Sequence, residues 1–86
     1  MNYSYATLND DTQIAYSQIL SDGCVRVSVE RPVDSGFDSA ECMLPAMEWL
    51  KVEGFDEQDM TYLEGFVRRN APLILRLSRE ASKEYA

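Results

Sequence analysis

The side chains that could do chemistry are few and poorly placed for it. The chain has no histidine, so the usual near-neutral base and every His-based triad are absent. Of the two cysteines, Cys42 falls on the inward parity of an expected strand and Cys24 begins another. A nucleophilic thiol needs a neighbouring base or a helix N-terminus to lower its pKa, and neither is in view. Opposite parity sends the two side chains to opposite sheet faces, so no disulfide between them is expected. The four glycines, 23, 36, 54 and 65, fit neither a phosphate loop nor a dinucleotide fingerprint. Asp56-Glu57-Gln58-Asp59 resembles a hard-cation cluster but lacks EF-hand spacing. It reads more simply as a capped helix start with acids on the favourable end of the dipole. No Cys/His set supports zinc. The expectation is no catalytic residue, no cofactor and no metal.

Charge is the more informative signal. The 86 residues carry 15 acids and 8 bases, a formal net charge of −7. Residues 1–67 hold 13 acids and 3 bases, whereas residues 68–86 hold Arg68, Arg69, Arg76, Arg79 and Lys83 against 2 acids. A basic C-terminal element therefore sits on an acidic body. Weak nonspecific binding to nucleic acid follows from the net charge. Arg76, Arg79 and Lys83 share one helix face and are expected to meet carboxylates, either from the same chain or from a second copy. Gly65 lies off the apolar stripe of its helix, where it costs about 1 kcal/mol against alanine, and Leu75 falls outside the apolar arc of its own. Gly65, Leu75, Arg76, Arg79 and Lys83 form the expected interaction surface. Around the first two expected helices the carboxylates of Glu48, Glu53, Asp56, Glu57, Asp59 and Glu64 lie close in sequence, a density that imitates nucleic-acid phosphates only if the geometry is right.

These residues must be positioned by elements that the hydropathy pattern marks out. The first half alternates like strands: Tyr3–Leu8, Thr12–Leu20, Cys24–Arg31 and Phe37–Leu44. Val25, Val27 and Val29 point one way, Arg26, Ser28 and Glu30 the other. Asp22-Gly23 is a two-residue hairpin signal, which would pair Tyr16 with Val29 and Gln18 with Val27. In the next hairpin, pairing Arg31 with Asp38 sets Val29 against Ala40, Val27 against Cys42 and Val25 against Leu44. The second half reads as three helices. One runs over 46–53 from Pro45 to Gly54, anchored by Trp49 and Leu50. The second starts at an Asp56 cap and runs to about Asn70, with Met60, Leu63, Phe66 and Val67 as its stripe. The third begins at Pro72, with Leu73, Ile74, Leu77 and Ala81 on one face.

The expected architecture is α+β: an antiparallel meander of three to four strands followed by three helices packed on one face, in a single domain over 1–86. A chain this short buries a little over ~60% of its unfolded surface. Apolar residues at 45% and charged residues at 27% argue against disorder. No apolar run approaches a membrane span. Met1-Asn2-Tyr3-Ser4-Tyr5 lacks the pattern of a signal peptide, so a cytoplasmic location is expected.

Thr7-Leu8-Asn9-Asp10, Gly36-Phe37-Asp38-Ser39-Ala40, Glu53-Gly54-Phe55 and Asn70-Ala71 resemble segments of a family of small uncharacterised bacterial proteins of unknown function. The resemblance implies a bacterial cytoplasmic protein and carries over no site residue. The expected function is a non-enzymatic protein–protein interaction or regulatory module whose partner is another protein or a second copy. The alternative is a small nucleic-acid-associated regulator using the basic C-terminal helix.

Overall fold

The computed structural model describes residues 2–84. Five strands form one antiparallel sheet in sequential order: β1 (Asn2–Thr7), β2 (Gln13–Ser17), β3 (Val25–Val33), β4 (Gly36–Leu44) and β5 (Glu48–Glu53). A single helix, α1 (Glu57–Glu84), follows and covers one face. The α+β class holds. The expected three helices do not, nor does a sheet of three to four strands.

The first correction concerns 46–53. An eight-residue helix is marginal without strong packing. Here the chain turns tightly at 45–47, through a cis Leu44–Pro45 peptide and Met47 at φ 60°, and returns as β5. As a strand, the segment pairs Trp49 with Cys42 and Val52 with Ala40 and hydrogen-bonds the open edge of β4. Trp49 packs against the core from a strand rather than a helix, and Leu50 is 55% exposed instead of anchoring anything. Leu50 is the extra residue of a β-bulge, since Glu41 faces Lys51 while the next residue, Cys42, faces Trp49.

The second correction concerns Asn70-Ala71-Pro72, which does not break the helix. Leu63, Val67, Ile74, Ser78 and Ala81 are all buried, and at about 100° per residue they fall within one narrow arc. Their phase survives only if the helix is continuous through Pro72. Pro72 itself is exposed, so the carbonyl of Arg68 that loses its amide partner can turn to water. Burying both halves of the stripe on one sheet outweighs the ~3 kcal/mol proline penalty. The same phase corrects two side chains: Leu73 is 43% exposed, while Leu75 is partly buried against the core.

Registers came out unequally. The β3–β4 hairpin pairs Arg31 with Asp38, Val29 with Ala40, Val27 with Cys42 and Val25 with Leu44, as expected. The β2–β3 pair is displaced by two residues, with Tyr16 facing Val27 and Ile14 facing Val29. The turn closes as Leu20–Cys24 around three residues, with Gly23 at φ 84°. β2 also leaves the ladder early, because the Arg26 amide donates to the Ser17 hydroxyl at 2.9 Å. A two-residue displacement preserves side-chain parity, so the core face is unchanged.

Serines finish the seam between β2 and α1. The buried Ser78 hydroxyl donates to the Ser17 carbonyl at 2.6 Å, and the Ile19 amide donates to the Ser82 hydroxyl at 3.0 Å. They satisfy backbone groups where the sheet ladder ends. Further along, the Tyr5 hydroxyl donates to Asn70 Oδ1 at 2.6 Å and the Tyr5 ring meets Phe66 edge-on.

Candidate functional site

Parity alone sends Arg31 and Asp38 to the helix-covered face, as the continuation of the Val25–Val27–Val29 and Ala40–Cys42–Leu44 rows. They sit where the N-terminus of α1 lands. Arg31 Nε and Nη2 donate to Asp38 Oδ2 at 3.0 and 2.7 Å, and Nη2 also donates to Asp59 Oδ2 at 3.1 Å. Asp10 Oδ2, from the β1–β2 turn, lies 3.7 Å from Nη1. The guanidinium carbon stands 4.7 Å from the centre of the Phe55 ring, a cation–π contact. One arginine thus ties together the β1–β2 turn, the β3–β4 hairpin and the first turn of α1.

The cap that prepares this landing was legible. The Asp59 amide donates to Asp56 Oδ1 at 2.8 Å, and the Asp56 amide donates to Asp59 Oδ2 at 3.1 Å. This is a reciprocal capping box built from two aspartates. Asp59 therefore serves two partners, its own helix start and Arg31. Among the described residues, no group of three or more His, Cys, Asp or Glu side chains is arranged to hold a metal ion.

Beside this hub lies a cleft of about 470 Å³, whose lining includes Thr7, Asn9, Asp10, Arg31, Asp59 and Tyr62. Its chemistry is that of ionised acceptors. The Arg31 hydrogen bond holds the Asp59 carboxyl below its ordinary value, and the Thr12 hydrogen bond does the same for Asp10. Neither can deliver a proton at neutral pH. Both carboxylates fold with a depressed pKa, so the stability they lend is present above about pH 4, the unfolded value. It disappears as pH falls through the folded values. The denaturation midpoint of the parent is expected to fall more steeply below pH 4 than that of Asp59→Asn, as urea titrations at stepped pH would read.

No family model, curated protein or solved structure matches the chain. The residues must speak for themselves, and those singled out from the sequence are spread along α1. Arg76, Arg79 and Lys83 are exposed, as are Arg68 and Arg69. Among the described residues none of these five bases makes an ion pair within 4.0 Å: the five ion pairs present belong to Arg26, Arg31 and Lys51. The expected pairing of Arg76, Arg79 and Lys83 with their own body is therefore not seen. Leu75 lies inward of this stripe, half-buried.

Gly65 has a local explanation. Arg69 lies over it, one helical turn on, with Nη1 3.1 Å from where a Cβ would stand. The near atom is the end of a flexible side chain and can move aside. Gly65→Ala is accordingly expected to stabilise the fold by about 0.5–1 kcal/mol through helix propensity, raising the midpoint of thermal unfolding. A lower midpoint would mean that the glycine is needed for close approach.

Both thiols are free. Burial pushes the Cys42 thiol up to about 11, and partial desolvation followed by the Asp22 carboxylate raises Cys24. Alkylation of the native protein at pH 7.5 is expected to be slow, to modify Cys24 first, and to reach Cys42 only after denaturation. Mass spectrometry of the time course resolves the order.

The Arg31 hub itself was missed from the sequence. The register pairing Arg31 with Asp38 was expected, but not their meeting with Asp59 at the helix start. The available signal was that both residues continue the inward parity of apolar rows. No helix among the described residues is long and apolar enough to cross a membrane.

Proposed function

We propose that the domain is a small non-enzymatic interaction module that docks an acidic protein surface on the exposed side of α1. One observation carries the reading: Arg68, Arg69, Arg76, Arg79 and Lys83 stand exposed along one helix without a carboxylate partner among the described residues. Glu64 and Glu80 lie within one turn of the stripe on the same helix, yet neither comes within 4.0 Å of it, and more than half of the chain's carboxylates gather at the other end. The segments 8–12, 31–38 and 53–59 hold eight carboxylates and a single guanidinium. The stripe is thus left for an outside partner, and Leu73, 43% exposed on the same helix, adds an apolar contact.

The same stripe supports the alternative, a nucleic-acid partner. Five phosphate contacts would give a salt slope near −4.5. The acidic end would have to point away from the polymer, and a chain of net charge −7 gains little long-range attraction. One comparison separates the two readings. Labelled DNA and RNA are passed over the immobilised parent and the Arg76/Arg79/Lys83→Ala variant at about 0.15 M salt, beside nuclease-treated extract from the native host. Retention of a defined protein by the parent, lost in the variant and with no nucleic-acid signal, supports the proposal. Nucleic-acid retention that disappears in the variant overturns it.

A further inference from the structure

We infer that two copies of the chain join through the free edge of β5 in a two-fold register that places Lys51 of each copy opposite Glu48 of the other. This interface is a different surface from the helix stripe and stands or falls independently of the function proposed above.

Among the described residues β5 pairs only with β4, so its outer edge ends the sheet. Three of its residues are apolar: Trp49, Leu50 and Val52, the last two 55% and 43% exposed. Val52 and Trp49 face the same side as the buried Ala40 and Cys42, so α1 covers the sheet as far as β4 and leaves the rim of that face open. The remaining three residues of the strand are charged: Glu48, Lys51 and Glu53. Charged side chains and bulges ordinarily guard an edge against arbitrary strands. This row guards against most partners and complements itself.

The complementarity follows from the bulge. Glu48 faces Met43 and Lys51 faces Glu41, which puts both on the open face of the sheet. They are three residues apart, and only the extra residue Leu50 lets them share a face. An antiparallel second β5, related by a two-fold axis perpendicular to the sheet, can therefore set Lys51 against Glu48 twice. The same register brings Trp49 of each copy opposite Leu50 of the other. Directly opposed unlike charges and aromatic–aliphatic pairs are the favourable cross-strand combinations. Slipping by one residue in either direction sets Lys51 beside Met47 or Trp49 and forfeits the charge match. The axis also makes the two helices antiparallel.

The test is a charge swap read by sedimentation equilibrium over a concentration series, with circular dichroism on each variant to show an intact fold. The parent is expected to dimerise reversibly. Lys51→Glu turns two attractions into two repulsions and is expected to weaken the dimer at least about tenfold. Glu48→Lys is expected to do the same. The double variant Glu48→Lys/Lys51→Glu restores both pairs and is expected to restore the parent affinity. A parent that stays monomeric at millimolar concentration overturns the inference. So does a dimer indifferent to Lys51→Glu, or a double variant no better than either single one.

Discussion

Gly54→Ala is expected to destabilise the fold by about 3 kcal/mol, the sum of two separate terms. Gly54 sits at φ 90°, where a side chain costs about 1–2 kcal/mol. A Cβ there would also fall on the Asp38 carboxylate. That carboxylate cannot simply swing away, because Asp38 Oδ2 accepts from both Nε and Nη2 of Arg31. Moving it surrenders charge-assisted bonds worth about 1.5–3 kcal/mol. In a domain of this size each kcal/mol shifts the thermal midpoint by about 4–8 °C, so a drop of more than ten degrees is expected. Gly36→Ala is the control: φ is 145° and no atom stands within 4 Å of the added carbon, so only the backbone term applies. Adding Asp38→Ala to Gly54→Ala should recover part of the loss relative to additivity, because the collision then disappears. Equal losses for Gly54→Ala and Gly36→Ala would show that the Asp38 seat contributes nothing.

The parts of this fold legible in the sequence were those fixed by local pattern. The β3–β4 register could be read because three apolar pairs and one charge pair all agreed on it. The Asp56/Asp59 cap could be read because capping is decided within four residues. What escaped depended on distant partners. Residues 46–53 follow a proline, precede a glycine and have mixed hydropathy, which suits a short helix. Only the unfilled edge of β4 decides in favour of a strand. Pro72 looked like a boundary because its local effect is to break helices; the sheet beneath it, which makes continuity worthwhile, is invisible from positions 70–72. The Arg31 hub escaped for the same reason. Its three carboxylates come from positions 10, 38 and 59, and the hairpin brings only Asp38 close to Arg31 in sequence. Of the expected interaction surface, Arg76, Arg79 and Lys83 stand exposed on one face of α1.

Helical phase also supplies the second large effect, a contrast between neighbours. Ile74→Ala is expected to cost about 3–4 kcal/mol, whereas Leu73→Ala is expected to cost under about 1 kcal/mol. A third helix beginning at Pro72 would put both side chains on one buried face and make their losses comparable. In the continuous helix Ile74 is fully buried, in phase with Leu63 and Val67 across the proline, while Leu73 is 43% exposed. Truncating a large buried aliphatic removes its transfer free energy and leaves a cavity that the sheet can only partly fill. Truncating Leu73 removes surface that water already reaches. Urea midpoints for the two variants, measured at the same slope, give the comparison directly. Comparable losses would mean that the chain breaks at 70–72 and that the basic residues beyond it point elsewhere. A large loss at Ile74 alone fixes the phase of α1 from 57 to 84, and with it the outward direction of Arg76, Arg79 and Lys83.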